Sequence, residues 1–91
     1  MRRAYRLTDH ARQEMERRGI SEVMVDRIMS EPQQVVQTYG DRQAYQSQAE
    51  IGGKLYVVRV IVEEGDPLTV ITVYRSSKIA KYWGDSHEGD L

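Results

Sequence analysis

Ninety-one residues, 40% of them apolar, with 13 basic and 14 acidic side chains, make one small domain with a single core and no second domain to carry a cofactor. The absence of cysteine excludes disulfides and thiolate metal sites, and His10 and His87 lie too far apart in the chain to suggest a histidine metal cluster, so neither metal nor cofactor is expected. No apolar run approaches a membrane span and no hydrophobic segment follows the N-terminal arginines, which makes a cytoplasmic protein without membrane contact the expectation.

The net charge of −1 conceals segregation. Six arginines against three acids leave the first eighteen residues positive, and Arg75, Lys78 and Lys81 form a second basic cluster. Acids gather at Glu63, Glu64 and Asp66 and again at Asp85, Glu88 and Asp90. Such a balance argues against wholesale coating of nucleic acid and permits one basic face.

In chain order, Thr8 and Asp9 are capping residues for a first helix that runs to about Arg18 and ends at Gly19. Leu7, Ala11 and Met15 recur every four residues and supply its narrow core-facing stripe. Ser21 caps a second helix, with Ile20 placed to staple onto Val25. Met24, Val25, Ile28 and Met29 form its buried face, and Pro32 stops it.

From Gln33 the pattern changes to strands. Gln34 to Tyr39 reads as the first strand, Gly40-Asp41 as a two-residue turn, and Arg42 to Ile51 as the second strand. Gly52-Gly53 is a tight turn whose two central residues both favour positive φ. Lys54 to Glu63 and Leu68 to Arg75 are β-branched strands flanking Glu64-Gly65-Asp66-Pro67, where the missing N–H of Pro67 does no harm. Residues 76–83 read as a short helix or an extended tail, and residues 84–91 as an acidic, frayed terminus after a single domain spanning 1–83. The expected fold is α+β: an N-terminal helical hairpin packed on one face of a four-stranded antiparallel meander sheet. Its first strand carries no lysine or proline after Pro32 to guard the edge, which leaves it able to recruit a partner strand.

Turn lengths predict faces. The Gly52-Gly53 turn pairs Ile51 with Lys54, Gln48 with Val57 and Gln46 with Arg59. A four-residue turn closing Glu63 on Leu68 would oppose Ile61 to Val70, Arg59 to Thr72 and Val57 to Tyr74. One face then collects Val58, Val60, Val62, Ile71 and Val73 under the helices, with Tyr45, Ser47 and Ala49 beside them. The other face carries Gln46, Arg59, Thr72 and Tyr74 as a polar band. An arginine inside so apolar a strand suggests an anion site, with Arg59 holding a phosphate or carboxylate and Thr72 and Tyr74 as hydroxyl donors. The alternative is an arginine that snorkels or pairs with Glu50 or the acidic tail. His10, on the first turn of a helix, lies beside positive backbone dipole, which favours a neutral imidazole able to act as general base. Tyr82 and Trp83 either stack on a base or anchor the tail on the sheet.

The segment Thr8-Asp9-His10-Ala11, with Met15, Arg17-Arg18-Gly19-Ile20-Ser21 and Pro32, resembles the opening motif of the small bacterial proteins grouped as domain of unknown function 4258. Arg59, the Thr72-Val73-Tyr74-Arg75 strand and the Ser77–Trp83 ending extend the resemblance over roughly residues 5 to 83. The resemblance implies a fold similar to the RelE and ParE toxins, in which the open face of the sheet meets RNA or another target. Carried onto this chain, it implies a site of His10, Arg59 and Thr72, with Tyr74 added. The RNA or phosphate contacts expected beside that site are Arg17, Gln46, Arg75, Lys78 and Lys81. The function expected is a metal-independent endoribonuclease, the toxin of a toxin–antitoxin pair. Its partners would be RNA and a cognate antitoxin, and the chain would be a monomer or weak homodimer. The competing expectation is a non-catalytic module of the same fold that grips a protein. Fold alone does not decide between them.

Overall fold

The computed structural model describes residues 4–84. Its sheet has five strands, not the four expected, and is mixed, not an antiparallel meander. The elements run β1 (Tyr5–Leu7), α1 (Asp9–Arg17), α2 (Glu22–Ser30), β2 (Gln34–Gln37), β3 (Arg42–Ile51), β4 (Lys54–Glu63), β5 (Leu68–Ser76) and α3 (Ile79–Tyr82), with strand order β1-β5-β4-β3-β2. The unforeseen strand β1 pairs in parallel with β5, Tyr5 opposite Leu68 and Leu7 opposite Val70. Tyr5 and Leu7 pack half-buried against the core while Arg6 between them is exposed, the alternation of a strand with one buried face. Three residues, one of them basic, are too few to show that period in a sequence. The four-residue recurrence Leu7, Ala11, Met15 in fact straddles a strand–helix junction.

Thr8 makes that junction. Its Oγ1 accepts the Ala11 N–H at 3.0 Å as the N-cap of α1 and donates to the Ile71 carbonyl at 3.1 Å, tying the helix start to β5. At the other end the Ile20 N–H bonds the Met15 carbonyl and the Gly19 N–H bonds that of Glu16. With Gly19 at φ 67° this is a Schellman closure, and it turns the chain at once into α2. Ser21 caps α2 by accepting the Met24 N–H at 3.1 Å. The stapled pair Ile20 and Val25 is buried, as are Ile28 and Met29, while Met24 is half-buried.

The sheet departs from expectation at two turns. Between β2 and β3, Gln37 faces Gln43, and the Thr38 N–H bonds the Arg42 carbonyl at 3.0 Å. The loop is therefore the three residues Tyr39-Gly40-Asp41, with Gly40 at φ 58°, and β2 ends at Gln37. Between β3 and β4 all ten pairs follow from the Gly52-Gly53 turn, Gln46 opposite Arg59 among them. Between β4 and β5 a bulge at Ile61/Val62 changes the register, so Val62 opposes Val70, Ile61 opposes Thr72 and Arg59 opposes Tyr74. The expected pairings of Arg59 with Thr72 and of Ile61 with Val70 do not form. Ile71 is the extra residue, and it leaves the core face that Leu68, Val70 and Val73 share.

The core lies between that face and the two helices: Ala11, Met15, Ile20, Val25, Ile28 and Met29 meet Val58, Val60, Val62, Leu68, Val70 and Val73. At about 1.5–3 kcal/mol per fully buried large apolar side chain, this layer is the main stabilising contact of the domain. Strand β2 is a sheet edge, and Val35 on it is exposed. No helix among the described residues is long and apolar enough to cross a membrane. Of the tail expected from Gly84, only Gly84 itself is described, and it is docked, not frayed: its N–H donates to Gln34 Oε1 at 2.7 Å. His87 and the acids Asp85, Glu88 and Asp90 lie outside the described residues.

Candidate functional site

The face of the sheet turned away from the helices carries Val57, Arg59 and Ile61 from β4, by strict alternation with the core residues Val58, Val60 and Val62. It is not an open surface at its centre. Arg59 is only 9% exposed and Gln46 is fully buried, because the chain after β5 folds back as α3 and lays Tyr82 over them.

Around Arg59 the polar atoms are closely matched. Arg59 Nε donates to Gln46 Oε1 at 2.8 Å and Nη1 donates to Tyr74 Oη at 2.6 Å. Gln46 Nε2 donates both to Gln34 Oε1 at 2.9 Å and to the Tyr82 carbonyl at 2.8 Å. A guanidinium only donates, so the Gln46 amide must present its oxygen to Arg59 and its NH₂ to the two acceptors, which uses both its protons. The Tyr82 ring lies 4.5 Å from the guanidinium carbon, within cation–π range, and the Tyr74 and Tyr82 rings meet edge to face at 6.1 Å.

Among the described residues this centre has no countercharge. Among the described residues the ion pairs join Arg12 to Glu22, Arg17 and Arg18 to Glu14, and Arg42 to Glu63, and no carboxylate reaches Arg59. Burying an ion costs several kcal/mol unless charge and hydrogen bonds offset it. Gln46 and Tyr74 engage two of the five N–H groups of the fork, and both partners are neutral. Beside them lies a cleft of about 190 Å³ lined by Val36, Gln37, Arg59, Lys81 and Tyr82.

The other residues expected at the site are distributed as follows. Thr72 is half-buried on the same face as Arg59 but stands opposite Ile61, and no side-chain bond joins it to the guanidinium. His10 is exposed on α1, which packs on the opposite face of the sheet, so the structure does not bring it to Arg59. Arg17 is also on α1 and pairs with Glu14 at 3.1 Å. Arg75 opposes Val58, on the helix-bearing side, and stacks on the Tyr56 ring at 4.5 Å. Lys78 is exposed where α3 begins, and Lys81 lines the cleft. Gln46 is present but fully covered, so it orients Arg59 and cannot itself touch a ligand.

On α1, the carboxyl of Glu14 has a displaced pKa. The hydrogen bond from Arg18 is the largest cause holding its carboxyl below the ordinary value of 4.5, burial works against it, and the charge of Arg17 adds to the lowering. That arrangement secures the end of the helix and stands apart from the cleft.

Gln34 and Gly84 are the members of the network that residue type did not single out, whereas Tyr82 anchors the tail on the sheet, one of the two roles expected of it. Gln34 had a signal: it falls on the same face as Gln46 once the β2–β3 register is known. The contributions of Tyr82 through its carbonyl and Gly84 through its N–H are backbone groups, to which residue type gives no clue.

Residues 7–75 match the model of the family described as Domain of unknown function (DUF4258). Among curated proteins and among solved structures, none matches.

Proposed function

The chain belongs to the DUF4258 family, and from the Arg59 centre we propose that it binds the phosphodiester backbone of RNA, a phosphate oxygen taking the guanidinium N–H groups that face the cleft. The observation that carries this reading is a guanidinium only 9% exposed, fixed by Gln46 and Tyr74, with no carboxylate partner among the described residues. An anion there supplies the missing charge and completes the fork bidentately, the geometry in which arginine recognises phosphate best. Lys78 and Lys81, exposed nearby in sequence, offer the flanking backbone contacts that position a strand without reading its bases. The RelE- and ParE-like fold that the family resemblance implies would favour RNA over other polyanions as the ligand.

Cleavage of the held strand is a second reading, favoured by the Tyr74 hydroxyl at 2.6 Å from Arg59. In metal-independent RNA cleavage the 2′-hydroxyl gives its proton to a hydroxide ion from solvent, forming water, and attacks phosphorus. The bond to the 5′-oxygen breaks, giving a 2′,3′-cyclic phosphate and a 5′-hydroxyl that must gain a proton. Arg59 would stabilise the extra charge on the phosphorane, and Tyr74 would deliver that last proton, its phenolate then resting against the guanidinium. His10 has no part in this arrangement. A toxin role with a cognate antitoxin belongs to the same reading; its rival is a non-catalytic module of the same fold that grips a protein, a carboxylate of that partner seated on Arg59.

The test is binding of a short single-stranded oligoribonucleotide, followed by fluorescence anisotropy in buffer containing a chelator, with the reaction products resolved on a gel. Wild-type protein should bind with an affinity that falls as salt rises, and Arg59→Met should bind at least about tenfold more weakly, equivalent to about 1.4 kcal/mol. Equal affinity of the two proteins would refute the assignment, and tighter binding of an acidic peptide than of RNA would favour the protein partner.

A further inference from the structure

Resting on Arg59 as a phosphate-binding centre, we propose that Lys81 and Tyr82 are binding residues of the same site and that residues 78–84, which carry them, form a clamp whose docking is coupled to ligand occupancy. The family match ends at residue 75, so the clamp lies outside the matched region, while Arg59, Gln46 and Tyr74 lie within it.

The clamp is held to the sheet face at separate points. The Tyr82 carbonyl accepts from Gln46 Nε2 at 2.8 Å, the Gly84 N–H donates to Gln34 Oε1 at 2.7 Å, and the Tyr82 ring stacks against Arg59 at 4.5 Å. Gly84 sits at φ 61°, so this docking favours glycine on conformational grounds, and a Cβ there would come within 3.3 Å of Gln34 Nε2, which would have to give way slightly.

The same docking gathers like charges. Lys81 Nζ is 5.3 Å from the Tyr82 ring centroid, and the Arg59 guanidinium carbon is 4.5 Å from it. The two cations are therefore no farther apart than the sum of those distances, comparable to a Debye length of about 8–10 Å. Neither has a carboxylate partner among the described residues. Without an anion, their repulsion opposes docking; with a phosphate in the cleft, both charges favour it. Coupling of this kind is reciprocal: whatever affinity the docked clamp adds to the ligand, the ligand adds to the docking.

Trp83, the single tryptophan of the chain, lies next to Tyr82 and reports the position of the clamp. The experiment uses full-length protein, a short single-stranded oligoribonucleotide, and acrylamide quenching of Trp83 fluorescence. In wild-type protein the oligoribonucleotide should reduce quenching. Gly84→Ala should weaken binding about 5–20-fold, within the range of ordinary coupling. Lys81→Gln, at an exposed side chain that the fold does not need, should bind more weakly, lower the salt dependence by about one released ion, and shield Trp83 before any RNA is added. If wild-type protein binds while both variants bind equally well and quenching never changes, the clamp is refuted and the Arg59 assignment stands. If wild-type protein does not bind, the RNA reading falls and the clamp with it.

Discussion

Gln46 and Arg59 stand directly opposite each other on β3 and β4, and their side chains are joined by a 2.8 Å bond from Arg59 Nε to Gln46 Oε1. The pairing fixes a cation in the middle of an apolar sheet, and the neighbours of Gln46 fix the amide in turn. The energetics are unequal: Gln46 is satisfied on every side, whereas among the described residues Arg59 keeps unengaged donors and meets no opposite charge.

That inequality predicts opposite costs for two substitutions. Gln46→Leu strands a buried guanidinium N–H and the Tyr82 carbonyl, leaving Gln34 Oε1 only its bond from Gly84, and should cost about 2–4 kcal/mol of stability, since each unsatisfied buried group costs about 1–3 kcal/mol. Arg59→Met removes the uncompensated charge and leaves only neutral acceptors behind, so it should cost distinctly less than Gln46→Leu. Urea denaturation of both variants checks the order; an Arg59→Met variant less stable than Gln46→Leu would mean that the charge is matched within the protein.

The bulge between β4 and β5 makes a second prediction. Val70 is fully buried in the core and Ile71 is half-buried outside it. Val70→Lys should therefore cost more than about 3 kcal/mol or prevent folding, whereas Ile71→Lys should stay within about 1 kcal/mol of wild type. Thermal unfolding followed by circular dichroism distinguishes the two. A reversed order would restore the uninterrupted register.

How far the chain can be read in advance is visible in this hairpin. The Gly52-Gly53 turn fixes ten pairs because two adjacent glycines of positive φ leave one geometry, and so Gln46 opposite Arg59 was legible. The acidic loop before Pro67 sets strand ends but not register, and a bulge is a balance of packing on both faces that no local signal encodes. Arg59 stood out as a charge in an apolar strand. Its enclosure did not, because it depends on a four-residue helix docking through backbone groups. Strand β1 escaped notice for a related reason: its partner is β5, sixty-odd residues away, and it is too short to show a period.

His10 and Tyr74 should behave differently in any assay of RNA. His10 is on the far face of the sheet from Arg59, so His10→Ala should leave affinity within about twofold, less than 0.5 kcal/mol. Tyr74→Phe deletes the hydroxyl that Arg59 Nη1 contacts and should lower cleavage, where it occurs, by about 10²-fold or more, the ordinary contribution of a positioned acid. Gel analysis of a labelled strand separates these outcomes; loss of cleavage in His10→Ala alone would relocate the chemistry to α1.

Glu14 gives the pH dependence. Its carboxyl is held below 4.5 in the folded protein, chiefly by Arg18, so its contribution is fully present above the unfolded value and is lost as pH falls from there through the folded value. Glu14→Gln should therefore destabilise the protein at neutral pH, with the difference from wild type shrinking in acid below the ordinary carboxylate range. Denaturation midpoints at neutral and acid pH measure this; a difference independent of pH would assign the role of Glu14 to packing.

The most direct measurement of the central claim is an NMR titration of ¹⁵N-labelled protein with a short single-stranded oligoribonucleotide, observing the arginine Nε–H signals and the backbone amides. The Arg59 Nε–H, buried and bonded to Gln46, should shift first, together with the amides of Tyr82 and Gly84. Shifts confined to α1, α2 or the β2 edge, with the Arg59 Nε–H unmoved at saturation, would contradict the account and place the ligand elsewhere.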